Sequence, residues 1–339
     1  MSLSRRSVLT LSAGTVGLTV GCLNAPVFAD NLETISTALF PLEDWTGQLV
    51  GDEVTVSSPV EVGRTGHGWE PSGGLAADIA RSNAFVYFDH PEFAWAQDIA
   101  AQLERDYDSV AVIDVFPDAI GELEHDHESE DSHDHDDDHT QESEDNHNHD
   151  EDHDNGEIPD PHVWTDPILA QSVVEDLGGQ LADIAEDRTE TLEQHATAYT
   201  DRLAAVSSTI ESTVGAAPLD ALVFAGHNSF GYFARRYDLT VHTPVGVSPN
   251  AVESPSDVAD LIETIDDHGI TTVLYDPFAA QAGSYPQLVD VLLENSGATD
   301  ALPLTSLEGT TQQWVDRDWG WVEQMEQINI PALEAALSP

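Results

Sequence analysis

The sequence predicts an α/β protein built as two (β/α) lobes with parallel sheets, joined by one long backbone helix. Two observations carry this. Short β-rich runs alternate with stretches of helical periodicity, the pattern of parallel sheets covered by helices. The alternation occurs twice, on either side of one uninterrupted stretch from Thr189 to Val214. There Leu192, Ala196, Tyr199, Leu203, Val206, Ile210 and Val214 recur at steps of three and four, which marks one buried stripe of a helix. Roughly 26 residues at about 1.5 Å each make a rod of about 39 Å, long for a small domain and suited to a strut between lobes.

The elements follow in order. Glu53 to Ser58 (EVTVSS) alternates β-branched and polar residues and reads as a strand. Leu75 to Ser82 reads as a helix, and the apolar run Ala84 to Phe88 (AFVYF) as a strand. Phe93 to Arg105 is a helix and Ser109 to Val115 (SVAVIDV) a strand. Past Pro167 a helix runs from about Ile168 to Ala185, followed by the strut. The second set begins with a strand at Ala221 to Phe224 and a helix at Phe230 to Tyr237. Thr240 to Val247 is strand or loop, Ser256 to Asp267 a helix, Thr271 to Tyr275 (TTVLY) a strand, and Tyr285 to Asn295 a helix. A last short strand is placed at Pro303 to Thr305, and helices from Trp314 to Leu337. The expected division is 1–29 for an export signal and lipobox region, 30–185 for the N-terminal lobe, 186–216 for the linking helix and 217–339 for the C-terminal lobe.

Formal net charge is −54, and all ten basic residues are arginine. So acidic a chain lacks the basic footprint of a nucleic-acid binder. A hydrophobic fraction of 40% with seven tryptophans argues against general disorder. Adaptation to high salt accounts for the charge, because at about 1 M salt the screening length falls to roughly 3 Å. The single cysteine, Cys22, rules out intrachain disulfides and a cysteine-based zinc finger.

The N-terminus carries Arg5-Arg6 ahead of a short apolar run, Leu9 to Val20, which is the twin-arginine export pattern. That run is shorter than the about 20 residues of a membrane span. Cys22 stands where a lipidated cysteine would, behind the imperfect lipobox Thr19-Val20-Gly21; Val27-Phe28-Ala29 offers a competing cleavage site. The expected location is extracytoplasmic, at the cell surface, tethered through Cys22.

Residues 122–157 form a low-complexity run of Asp and Glu that holds eight of the fifteen histidines: His125, His127, His133, His135, His139, His147, His149 and His153. Imidazole and carboxylate are ligands for divalent transition metals. The run lacks periodicity and reads as a disordered surface loop that collects metal with low affinity.

Four further positions stand at places where open α/β sheets bind ligands, beyond the carboxyl ends of strands or at helix starts. These are His67 in HGWEPS, His162 in DPHVWTDP, His227 in GHNSFGYFARRYDL and Asp276 in VLYDPF. Together these motifs resemble the metal-receptor lipoproteins of zinc and manganese ABC transporters, of the zinc-uptake type. The likeness runs from about Val54 to the C-terminus and includes GVSPNAVESPSDVADLI (Gly246 to Ile262). It departs at Gly66, where the family usually has proline. The resemblance implies a metal in the cleft between the lobes, held by His67, His162, His227 and Asp276, and delivered to an ABC permease with its cytoplasmic ATPase. Three imidazoles and one carboxylate suit Zn2+ better than Mn2+ or Fe2+. Binding by neutral imidazole should weaken as pH falls through about 6.5.

The implied chain is a binding protein and not an enzyme: it carries no HExxH motif. A zinc-dependent hydrolase, a metal-binding adhesin, and a manganese or iron receptor are the alternatives. His90, His195, His242 and His268 lack a surrounding motif, Trp164 reads as packing, and Glu70 as a possible support for a ligating histidine.

Overall fold

The computed structural model describes residues 32–117, 159–248, 251–279 and 286–338. The Arg5-Arg6 leader, Cys22 and the histidine-rich stretch 122–157 lie outside these residues.

β1 (Thr34–Thr37), β2 (Thr55–Ser57), β3 (Ala84–Tyr87) and β4 (Ala111–Asp114) form a sheet in the order β2-β1-β3-β4. β5 (Ala221–Ala225), β6 (Thr240–His242), β7 (Thr272–Tyr275) and β8 (Asp300–Pro303) form a second, in the order β6-β5-β7-β8. Every pairing is parallel. The two sheets thus repeat one topology, and each has a switch point between its two inner strands, where ligands of open α/β sheets bind. Inner strands β3 and β5 are buried at every residue, which is why both read as unbroken apolar runs. Edge strands β2 and β6 stay at three residues and keep exposed positions, so they offer little template for another chain.

Several elements depart from expectation. β1 and the helix Phe40–Val50 were not anticipated. β1 reads TIST, too short and too polar to announce itself, although Ile35 and Thr37 are buried. The last strand lies at Asp300–Pro303 instead of Pro303 to Thr305, and only Thr240–His242 of the 240–247 run is strand. The C-terminal region breaks into helices Gln312–Val315, Trp321–Gln324 and Ile330–Ala336, with a π turn at Met325–Asn329.

The long helix spans Thr189–Ala216, 28 residues. It buries Leu192, Tyr199, Leu203, Val206, Ser207 and Ile210. Along it lies the helix Pro167–Ile184, where a Cβ on Gly178 would stand 3.4 Å from that of Ala196. The main core is continuous from the first sheet (Ile35, Phe85) through the long helix (Leu203, Ile210) to the second sheet (Phe224, Leu274) and the C-terminal helices (Trp321, Leu333). A smaller core of Val223, Leu261, Ile265, Val273 and Val289 sits under the second sheet. The C-terminal segment also returns to the first lobe. Trp321 N–H and Tyr199 O–H both donate to Asp44 Oδ2, at 3.0 and 2.9 Å. Among the described residues, no helix is long and apolar enough to cross a membrane.

Asp166 caps the Pro167–Ile184 helix by accepting from the N–H groups of Ile168 and Leu169. Pro167 at the first helical position suits that start. The same carboxylate accepts from Arg236 Nε at 2.6 and 2.5 Å, which ties the cap to the helix Gly231–Arg236 that follows β5. The Arg236 side chain is 31% exposed, so the pair itself contributes about 1 kcal/mol. Adding a cap worth about 1 kcal/mol, Asp166→Ala should lower stability by roughly 2 kcal/mol. The readout is a lower urea midpoint at unchanged slope; an unmoved midpoint would remove this role.

Candidate metal centre

Three of the four side chains come from segments that follow a strand, and the fourth, His162, stands at the start of a helical segment. His67 follows β2, in a turn that needs Gly68 at φ 62°, a left-handed conformation open to glycine. A Cβ at Gly66 would stand 2.0 Å from Leu39 Cδ2, so the backbone here is pressed against the first lobe. His162 immediately precedes the 3-10 turn Val163–Thr165, which leads into the Asp166 cap. His227 lies two residues past β5, and a single parallel bridge to Val245 prolongs the sheet there. Glu308 lies past β8, directly after Leu307, itself at φ 62°.

The four meet. Nε2 of His162 is 3.1 Å from Nε2 of His67 and 3.1 Å from Nε2 of His227. Oε1 of Glu308 is 3.1 Å from His67, 3.2 Å from His162 and 3.5 Å from His227, measured to Nε2 in each case. All four atoms lie within 4.8 Å of one another. A tetrahedron with bonds of about 2.0–2.1 Å has edges of about 3.3–3.4 Å, so five of the six edges match a four-coordinate zinc ion. The side chains are 2%, 0%, 9% and 3% exposed for His67, His162, His227 and Glu308. Glu308 Oε1 is buried, and the groups it faces are the three imidazole Nε2 atoms. A buried carboxylate oxygen in that state asks for a cation.

The electrostatics agree. Burial alone would push the His162 ring down. Its contacts with Asp160 and Glu308 outweigh this and hold the ring up at about 9. Burial raises the Glu308 carboxyl, but the charge of His67 and bonds from the three imidazoles hold it well below the usual carboxylate range. Without metal, then, an imidazolium proton balances the carboxylate. His162 Nδ1 lies 2.6 Å from Asp160 Oδ1, which leaves Nε2 as the metal-facing nitrogen. Asp160 also accepts from the His162 N–H at 2.9 Å. Asp160→Ala should therefore weaken zinc binding about 10–100-fold, with Asp160→Asn, which keeps an acceptor, in between. Competition against a chromophoric chelator measures this, and equal affinities for all three proteins would deny Asp160 the role.

Three of the four expected residues come together, and the fourth does not. The carboxylate that meets the imidazoles is that of Glu308, and not that of Asp276. Asp276 directly follows β7, and its Oδ1 is tied to its own turn by the Phe278 N–H at 2.8 Å. It lines a cavity of about 410 Å³ beside the cluster, together with His227 and Glu308. Burial raises its carboxyl to about 7, with the nearby charge of Glu308 adding to the rise. Glu308 obeys the same rule that pointed to Asp276, since it too lies beyond the carboxyl end of a strand. Its segment, Ser306 to Gly309, carries no motif that marks it.

The other candidates have structural places. Trp164 is fully buried, packs against the His162 ring and donates from Nε1 to Ser306 O at 2.9 Å. His90 accepts from the Glu92 N–H and pairs with Pro159 O, and burial pushes its ring down to about 4. His195 pairs with Leu49 O, His242 and His268 pack on each other, and Glu70 is exposed. The histidines of 122–157 lie outside the described residues.

A family model described as zinc-uptake complex component A, periplasmic, matches residues 35–336. The zinc-binding lipoprotein AdcA of Streptococcus pneumoniae is 28% identical over 316 residues, which is 93% of this chain and 58% of that protein. The chain therefore spans little more than half the length of that relative. The high-affinity zinc uptake system protein ZnuA of Bacillus subtilis is 26% identical over 308 residues, 91% of this chain and 88% of the relative. The crystal structure of the Zn(II)-bound ZnuA-like domain of Streptococcus pneumoniae AdcA superposes with a TM-score of 0.68 at 24% identity, covering 91% of this chain and all of that one. The laminin-binding protein Lmb of Streptococcus agalactiae, described as an adhesin with metal-transporting activity, gives 0.69 at 19% identity, over 90% and 100% of the two chains. At these identities the two solved structures speak for the fold.

Proposed function

This chain belongs to the family of zinc-uptake complex component A, periplasmic, and we propose on that premise that it captures Zn2+ outside the cytoplasm. It then delivers the ion to an ABC permease driven by a cytoplasmic ATPase. The observation that carries the reading is the tetrahedral convergence of His67, His162, His227 and Glu308. Three nitrogens and one carboxylate oxygen favour zinc over manganese or iron. Four protein ligands also leave no open position for the water or substrate of a hydrolase, which supports a carrier over an enzyme. The net charge of −54, with ten arginines and no lysine, supports a chain adapted to concentrated salt. Arg5-Arg6 and Cys22 support twin-arginine export and a lipid tether at the cell surface. The histidines of the stretch 122–157 serve as an accessory metal collector of low affinity.

Metal-stripped protein titrated in concentrated salt with zinc, manganese and iron tests the reading. One tight zinc per chain is expected, retained when 122–157 is deleted while the total metal bound falls. Tighter binding of manganese, or loss of the tight site on that deletion, would overturn it.

A further inference from the structure

Glu308 is held in place by a device that lies elsewhere in the chain. The segment Thr305 to Gly309 is buried, and its backbone groups are taken up by side chains. Asn329 pairs with Thr305 on both sides: Oδ1 accepts from the Thr305 N–H, and Nδ2 donates to the Thr305 carbonyl, each at 2.9 Å. Gln324 spans the segment. Its Oε1 accepts from the Thr305 hydroxyl and its Nε2 donates to the Gly309 carbonyl, each at 3.3 Å. Thr305 Oγ1 accepts from the N–H of Leu307, the residue at φ 62°. A leucine in that conformation persists only where its surroundings over-determine it. Gln324 and Asn329 are 0% and 1% exposed.

The two amides share a face because of the π turn at Met325–Asn329. In an α-helix, residues five apart project about 140° from each other. A π turn, bonded from i to i+5, stacks them. Pro331, in the turn that follows, has no N–H to continue the α-helical ladder, which favours this bulge.

We infer that Gln324 and Asn329, brought together by the π turn, are positioning residues that aim the Glu308 carboxylate at the three imidazoles and so set the fourth coordination position of the metal. This rests on the cluster being the zinc site. Neither amide touches the metal; Asn329 holds the backbone at Thr305 before Glu308, and Gln324 joins the Thr305 hydroxyl to the Gly309 carbonyl after it.

The test compares wild type, Asn329→Asp, Gln324→Met, Glu308→Gln and the double variant Asn329→Asp with Glu308→Gln. Zinc affinity is measured by chelator competition, and the visible spectrum of the Co2+ form reports coordination number and ligand field. A urea midpoint for each shows that it folds, and Gln324→Met carries the test should Asn329→Asp not fold. Asn329→Asp keeps the acceptor for Thr305 N–H but sets an oxygen against the Thr305 carbonyl. Gln324→Met removes both bonds at similar volume. Each should weaken zinc about 10–100-fold, as the loss of groups that orient a ligand does. Each should also shift the cobalt spectrum towards that of Glu308→Gln. The double variant should bind within threefold of Glu308→Gln alone, since both changes act on one interaction. Wild-type cobalt spectra in the folded amide variants, or a fully additive loss in the double variant, would overturn the inference. Failure of wild type to bind zinc tightly would instead overturn the zinc reading.

Discussion

His162→Ala should abolish tight zinc binding. Its Nε2 is 3.1–3.2 Å from the ligand atoms of His67, His227 and Glu308, more close contacts than His67 or His227 makes to its neighbours in the cluster. Structural zinc sites bind with about 10–16 kcal/mol in all, so one of four ligands carries about 3 kcal/mol, or roughly 100-fold or more in affinity. The ring is fully buried and packs on Trp164, so its loss also opens a cavity under the site and removes the imidazole partner of Asp160. Both consequences add to the loss. Chelator competition on the folded variant measures the effect. An affinity within threefold of wild type would mean that the cluster does not hold the ion.

The second large effect is on pH. Zinc needs the bare lone pair of His162 Nε2, and in the metal-free protein this ring is held up at about 9. Raising the pKa of a ligand favours the proton over the metal below that pKa. Apparent zinc affinity should therefore fall about tenfold for each pH unit below about 9, as long as one proton is displaced per ion. The onset lies well above the value of about 6.5 expected for an ordinary histidine. The physical reason is the pair of carboxylates, Asp160 and Glu308, that flank the buried ring. Titration calorimetry at pH 7 in buffers of different ionisation enthalpy should show about one proton released per zinc. Release of none, with affinity flat between pH 7 and 9, would show that the ring is neutral before the metal arrives.

Legibility in the sequence tracked burial and local pattern. β3, β5 and β7 are runs of apolar and β-branched residues because helices cover both faces of their sheets. The stripe of the long helix was readable because one face meets the core along most of its length. β1 was invisible, since TIST has no apolar run and owes its place to pairing with β2 and β3. The π turn was equally invisible, since nothing short of the packed backbone distinguishes a five-residue bond from a four-residue one.

At the candidate site the division is sharper. His67, His162 and His227 each stand in a dense local motif: a glycine that permits the turn, a cap that starts a helix, a strand end that aims the ring. Such local requirements are written beside the residue they serve. The fourth group is different. Asp276 and Glu308 both follow strands of the second sheet, and local sequence ranks the first above the second. Tertiary contacts reverse the order, because Asp276 is bound to its own turn while Trp164, Gln324 and Asn329 hold the Glu308 segment in the cleft. The sequence by itself determined the α/β class, the long helix and the three histidine motifs whose imidazoles converge. Only the tertiary structure decided which carboxylate meets the three imidazoles, and that the buried His162 ring lies between two carboxylates. Both depend on Glu308, far from the histidines in the chain, and a one-dimensional pattern does not carry the distances between them.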